Sequence, residues 1–420
     1  LKPVVATALL ATTLAASALT APALAAPAAE LSDPAPTNVQ ISWKDDSLQF
    51  VHVTWAEDAP SPNKVFVRTV GQPTQSVVTY VTADAPNTVD LPKAQISSLK
   101  GPLQIGVAVG TEAGETSTVA VSPSFDNNTP GRPVLSWFEP TGSSTLTVAW
   151  YSGDAPSDPT YKDPLDRSDP ETFQPQYTVA GAPIAIGKPT TAARVTFTGP
   201  TTGYKLSVVA RNEWSAGPAM AEVTARPTKV TANIPTWATY DKFIGIRGTF
   251  DGPALASVVL HARNSASSPW YVVTGNTYEG RQVWLEATSR GTRQYRVALP
   301  NQISGTTAYF NSASAPVTMT TQQVVRSARF LTTTLKYGAE ARAELLTNPA
   351  ITGKVSLQRW NGKTWIVVRD VAITNGRAVG TFPARQPGRV AYRYYVPSRT
   401  FNGLFVAATY SPNFVLTTTS

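Results

Sequence analysis

The 420-residue chain carries 35 Lys and Arg against 27 Asp and Glu, a formal net charge of +8, with only 15% of its residues charged. It has no cysteine, which excludes disulfides, thiolate metal sites and a cysteine nucleophile. Its two histidines, His52 and His261, stand too far apart in sequence to suggest an imidazole metal centre, and no phosphate-loop or dinucleotide fingerprint occurs.

Taken in chain order, residues 1–25 read as a secretory signal. Lys2 precedes an apolar run from Val4 to Leu19, and Ala23-Leu24-Ala25 fits a small-x-small cleavage site. A linker rich in Ala and Pro follows over 26–36. The first folded unit is expected over 37–126, where Phe50-Val51-His52-Val53-Thr54-Trp55 and Leu103-Gln104-Ile105-Gly106-Val107-Ala108-Val109 alternate with the period of a strand. This alternation puts His52 on the opposite sheet face from Val51 and Val53, as a surface histidine.

The second unit, over 131–226, repeats the plan with Leu146-Thr147-Val148-Ala149-Trp150 and Tyr204-Lys205-Leu206-Ser207-Val208-Val209-Ala210-Arg211-Asn212. It differs by an insertion that lengthens the connection, about 26 residues between Trp150 and Tyr177 against roughly 10 between Trp55 and Val65. The inserted stretch holds Asp158, Asp163, Asp166, Asp169 and Glu171. Of these Asp163, Asp166, Asp169 and Glu171 are the candidate ligands should it take calcium, which favours clustered carboxylate oxygens. Two such acids at a fixed separation are also what glycoside hydrolysis needs. The spacing is not that of an EF-hand loop, and Lys162, Arg167 and the interspersed prolines make the segment read as an extended, solvated loop. No catalytic residue and no cofactor is assigned.

Two further units are expected over 229–321 and 324–420, because a pattern recurs there. Val258-Val259-Leu260, Trp270-Tyr271-Val272-Val273, Gly280-Arg281 and Tyr295-Arg296-Val297 return about 95 residues later as Val355-Ser356-Leu357, Trp365-Ile366-Val367-Val368, Gly376-Arg377 and Tyr392-Arg393-Tyr394. Asn361-Gly362 signals a two-residue hairpin turn, and Asn375-Gly376 a second. A two-residue turn at Asn361-Gly362 would pair Trp360 with Lys363 and Gln358 with Trp365. That register places Val355, Leu357, Ile366 and Val368 on the core face. Trp360 and Trp365 become diagonal neighbours on the outer face, beside Gln358 and Lys363.

The strand-closing tryptophan and the Tyr-x-Leu-x-Val-x-Ala-x-Asn run of 131–226 resemble the fibronectin type III family. The first unit keeps the tryptophan as Trp55 but has Leu103 in place of the tyrosine. The last two units resemble the immunoglobulin-like modules of secreted actinobacterial proteins, in which a V-x-L-Q-R…W hairpin recurs. The resemblance implies an all-β chain of four tandem β-sandwich modules after a cleaved signal peptide, secreted or cell-wall associated, with no integral membrane span in the mature protein.

Charge is uneven along these units. The first is acidic and the second near neutral, whereas 324–420 holds 13 basic and 3 acidic residues, net +10. For an exported protein this asymmetry points to an anionic cell-wall polymer or polysaccharide as partner rather than nucleic acid. Trp360, Trp365, Gln358, Arg359 and Lys363 are the candidate ligand-binding residues, since exposed indoles stack on sugar rings and guanidinium groups pair with oxyanions. Because Trp365 recurs as Trp270, covering the sheet is the competing role. The function expected is that of a non-enzymatic adhesion or spacer scaffold. The alternatives are an accessory factor in extracellular polysaccharide degradation and a subunit of an extracellular assembly.

Overall fold

The computed structural model describes residues 32–72, 75–153, 163–167 and 171–420. The signal sequence, the first part of the linker, Asp158, Asp169 and Lys162 lie outside the described residues. Strands make up almost all the regular structure, and the helix Lys93–Ile96 is a single turn. Among the described residues no helix is long and apolar enough to cross a membrane. The chain divides into two compact units. One runs to Asn128 and includes the 163–167 segment; the other holds the remainder.

In the first unit, Thr37–Trp43, Phe50–Ala56 and Thr88–Pro92 form one antiparallel sheet. Asn63–Thr69 and Leu103–Thr111 are the centre of another. The alternation in Phe50–Ala56 is realised directly: Val51, Val53 and Trp55 are buried, and His52 and Thr54 are only half-buried between them. Leu103, in place of a tyrosine, is fully buried and pairs its backbone with Phe125. Gly106 is required by packing, because a Cβ there would lie 2.3 Å from the Phe66 ring.

The larger compact unit holds three successive hydrophobic cores among the described residues, belonging in turn to the second, third and last regions, 131–226, 229–321 and 324–420. The first is built on Leu146, Val148, Trp150, Tyr204, Leu206 and Val208. Tyr204 is buried and its hydroxyl reaches the carbonyls of Ser144 (3.1 Å) and Phe197 (3.3 Å), so the chain upstream is pinned to the strand. Burial pushes the Tyr204 phenol up to about 12. The next core lies among 230–319 and the last among 330–416.

These cores are fastened to one another by a device that occurs twice. Between the long strand Arg293–Leu299 and the final strand Val317–Gln322 of the third region, the hairpin Gln302–Ser304/Thr307–Tyr309 leaves its own sheet. It pairs in parallel with Val223–Arg226 of the second region, and Ala308 and Phe310 become part of that region's core. In the last region the hairpin Arg399–Phe401/Leu404–Val406 occupies the same place between Gly388–Val396 and Phe414–Thr419. It reaches the third region through Thr292 N–H to Phe405 O (2.8 Å) and Ala407 N–H to Thr321 O (2.7 Å). The buried Gln323 side chain caps the join by donating to the carbonyls of Pro397 (2.8 Å) and Ala407 (3.2 Å). Gly291 is necessary there, since a Cβ would stand 2.5 Å from that of Leu404. The turn of the second hairpin uses Asn402 and Gly403, both at positive φ, as a tight two-residue turn requires.

The third and last regions diverge in their sheets. In the third, Tyr271–Glu279 and Gln282–Thr288 belong to separate sheets. In the last, Trp365–Thr374 continues through the Asn375-Gly376 turn into Arg377–Pro383, giving one unbroken nine-stranded sheet folded over its core. Both turn residues have positive φ, as the sequence pattern demands.

Candidate functional site

The hairpin of Gly353–Trp360 and Trp365–Thr374 departs from the expected register. Its loop is four residues, Asn361 to Thr364, closed by Asn361 N–H to Thr364 O (3.1 Å). The Asn361 side chain stabilises it by accepting from the backbone of Lys363 and Thr364. Trp360 therefore pairs with Trp365, Arg359 with Ile366 and Gln358 with Val367, and a bulge at Leu357/Gln358 sets the rest of the ladder. Asparagine's capacity to bond two residues onward outweighs the two-residue Asn-Gly turn here.

The two indoles are consequently directly opposite, not diagonal, with ring centroids 5.5 Å apart. Trp360 is 40% exposed and Trp365 half-buried. Val355 and Leu357 are buried in the core as expected, but Ile366 and Val368 are only half-buried. Lys363 sits exposed at the loop tip. Gln358 accepts from Arg393 Nε (2.8 Å), and the Arg393 guanidinium lies 4.4 Å from the Trp365 ring and 4.0 Å from that of Tyr410. Trp365 is thus already engaged by a cation, and Trp360 offers the more open ring.

The equivalent face of the third region is engaged further. Arg263 and Arg296 each lie 4.4 Å from the Trp270 ring, and Arg263 Nε donates to Gln294. Burial, reinforced by the neighbouring Arg263, lowers the Arg296 pKa; burial, reinforced by Arg296, lowers that of His261. These partners give Trp270 a role in covering the sheet.

Arg359 is not on the indole face. It stands opposite Tyr392, toward the core side, and borders a groove of about 210 Å³ with Arg385, Gln386, Phe382, Ile366 and Tyr392. Its Nε is buried with no hydrogen-bond partner. Two of the region's three carboxylates are committed elsewhere, and the third, the exposed Glu340, pairs its backbone with Pro383 at the groove's edge. Glu344, 5% exposed, holds both Arg377 (2.9 Å) and Arg329 (3.1 Å), whose hydrogen bonds keep its pKa below the usual carboxylate value. Asp370 accepts from Ser356 Oγ (2.6 Å).

No protein-family model matches the chain, and no curated protein does. Among solved structures, the FN1–FN3 domains of chicken CNTN1 align with 68% of this chain and 98% of their own, at 12% identity and a TM-score of 0.22.

The inserted acidic segment is not uniformly solvated. Leu165 is fully buried in the first unit, Asp163 is 7% exposed, and Trp43 Nε1 donates to Leu165 O (2.7 Å). The Asp163 carboxylate accepts from the backbone N–H groups of Asp126 (2.6 Å) and Leu165 (2.7 Å). Glu171 instead accepts from Ser152 Oγ (2.5 Å), and Asp166 is exposed. Among the described residues no three His, Asp or Glu side chains converge on a metal position. The apolar anchor Leu165 was hidden among five acids in the sequence.

Burial raises the Asp163 pKa to about 7, with Asp166 and Asp126 adding in the same direction against its two backbone donors. An acid whose folded pKa lies above its unfolded one binds the extra proton when folded. Its stabilising contribution is complete below about pH 3.8 and is lost as pH rises to about 7. The first unit's stability is expected to fall across that window, by at most ~1.4 kcal/mol per pH unit for this one proton. Denaturant melts at pH 4, 5.5 and 7 on native protein and Asp163→Asn check this, and an unchanged slope in the variant would count against it.

Sequence reading also missed the partners of His52. Its Nδ1 lies 2.8 Å from Asp90 Oδ1, which Lys44 Nζ also approaches at 2.6 Å on the carboxylate's other oxygen. Hydrogen bonding from Lys44, then from His52, holds Asp90 below the ordinary carboxylate range. Thr88 Oγ1, 3.4 Å from His52 Nε2, completes a hydroxyl–imidazole–carboxylate row in the order of a hydrolytic triad. The Thr88 hydroxyl, however, donates to Val53 O at 3.0 Å, so its proton is not presented to the imidazole. The strand period hid the row: His52 and Asp90 meet as a cross-strand pair 38 residues apart.

Proposed function

We propose that this chain is an exported, non-catalytic scaffold of four β-sandwich modules, two fibronectin type III-like (37–126 and 131–226) and two immunoglobulin-like (229–321 and 324–420). In this reading the last module holds an anionic wall polymer or polysaccharide. The observation that carries the reading is the surplus of cations over carboxylates in 324–420: Glu344 takes Arg329 and Arg377, and Arg342, Lys354, Lys363 and Arg389 stand exposed with no carboxylate of the described residues within 4 Å. An array of this kind attracts polyanions by long-range electrostatics and holds them less tightly as salt rises. The hairpins that join the last three cores support a spacer role, because a stiff connection presents the basic region at a fixed distance. The preference for binding over catalysis rests on how the ionisable groups are used, the Thr88 hydroxyl above all.

Sedimentation of the full chain with purified wall material tests this. Changing Arg342, Lys354, Lys363 and Arg389 together to Gln is expected to cut the bound fraction several-fold at low salt while leaving the fold intact, since exposed substitutions cost within about 0.5 kcal/mol each. Equal retention of both proteins would remove the electrostatic basis.

A further inference from the structure

Two differences between the copies of the repeat favour an anion at the groove beside Arg359, and one, Glu340 in place of Phe243 opposite the groove residue Pro383, sets an acid at its edge. Leu260 and Leu357 pair with Val297 and Tyr394, which fixes the equivalence of the two strands. Two residues on, Ala262 faces Tyr295 in the third region, and Arg359 faces Tyr392 in the last. Ala262 is fully buried core. Arg359 thus puts a guanidinium at a position the repeat uses for packing, with its Nε buried and unbonded.

A second difference concerns Arg385. Its counterpart in the third region is Arg290, as the matching backbone bonds Asp241 N–H to Ser289 O and Gly338 N–H to Ala384 O establish. Arg290 is neutralised by Asp241 at 3.1 Å. In the last region the equivalent of Asp241, likewise at positive φ, is Gly338, so the carboxylate is gone and Arg385 is left without it. The repeat has therefore gained one cation at the groove and lost the acid that would have balanced another. Two guanidinium groups at one groove, neither ion-paired to a described carboxylate, offer an oxyanion charge-assisted, bidentate hydrogen bonds.

We infer that the groove lined by Arg359 and Arg385 is the binding site for one oxyanion-bearing unit of a polymer, a carboxylate or a phosphate on a compact body. The oxyanion sits between the two guanidinium groups, with the Gln386 side chain beside them. Phe382, Ile366 and Tyr392 give the apolar wall against which the unit's carbon skeleton rests, and about 210 Å³ accommodates a single small unit. This inference rests on the proposed polymer binding and assigns it a site.

The test uses the full chain with two probes, polygalacturonate for carboxylate and poly(glycerol phosphate) for phosphate, titrated against native protein, Arg359→Ala and a control at the exposed Lys336, Lys336→Gln. Arg359→Ala restores the residue of the sister repeat, so it is expected to melt at the same temperature as native protein or higher. It should nonetheless bind at least one of the two polymers tenfold or more weakly, while the control loses less than threefold. The polymer that shows the tenfold loss identifies the oxyanion. Arg359→Ala binding within twofold of native protein, or falling no further than the control, overturns the site while leaving polymer binding standing. Absence of binding by native protein to both probes overturns the polymer reading itself.

Discussion

Replacing Phe310 by alanine is expected to destabilise the second region, not the third to which its flanking strands belong, by about 3–5 kcal/mol. Phe310 is 1% exposed within the core built on Trp150 and Tyr204, its ring 6.3 Å from that of Tyr204, and its backbone bonds Arg226 O. Truncating it removes a phenyl from a packed interior and leaves a cavity which the short hairpin cannot collapse to fill. Calorimetry that resolves separate transitions should show the one following Trp150 environment, read by its fluorescence, shifting down. Ile303→Ala, on the same hairpin but 50% exposed, should stay within about 0.5 kcal/mol. A Phe310→Ala effect confined to the third region would contradict the docking of this hairpin into the second region's core. The same geometry predicts that a protein cut near Arg226 loses core residues of its second region along with everything downstream.

The second large effect is expected at Leu165. Its side chain is fully buried in the first unit, although it lies between strands of the second in sequence. Leu165→Ala should cost the first unit about 2–5 kcal/mol, read as a lower denaturation midpoint. The loss comes from apolar area returned to water and from a hole beside the Trp43 indole, whose Nε1 donates to Leu165 O. A change below about 0.5 kcal/mol would mean that the segment is merely laid on the surface.

These two positions show where sequence legibility ends. Strand alternation was readable wherever one face meets a core: Val51, Val53 and Trp55 in the first unit, or Tyr204, Leu206, Val208 and Ala210 in the second, are buried as the pattern requires. The recurrence of Leu260 as Leu357 and Tyr295 as Tyr392 was equally plain, because both copies bury the same positions. The period says which face of a strand is buried but not whose core receives it. Ala308 and Phe310 have the same alternation whether they pack at home or on a neighbour. Leu165 is one apolar residue among acids and has no period at all.

The candidate site was legible in part. Trp360, Trp365, Gln358 and Arg393 share a face in either register, so the error in loop length moved partners and left the face unchanged. Arg359 was different. Read beside Gln358 and Trp360 it looked like one more surface cation, and only its pairing with the buried Tyr392 puts it at the groove. Its contrast with Ala262 was present in the sequence but had no meaning until the pairing of both strands was known.

The most direct test of the account is the affinity of the full native chain for a defined polyanion, poly(glycerol phosphate) or polygalacturonate, measured at 50 and 300 mM salt with the polymer's length followed throughout. Binding at low salt is expected to weaken by about tenfold or more at high salt, as screening shortens the reach of the exposed cations, with the polymer recovered intact. Binding that ignores salt, or polymer that is shortened during the measurement, would contradict the account.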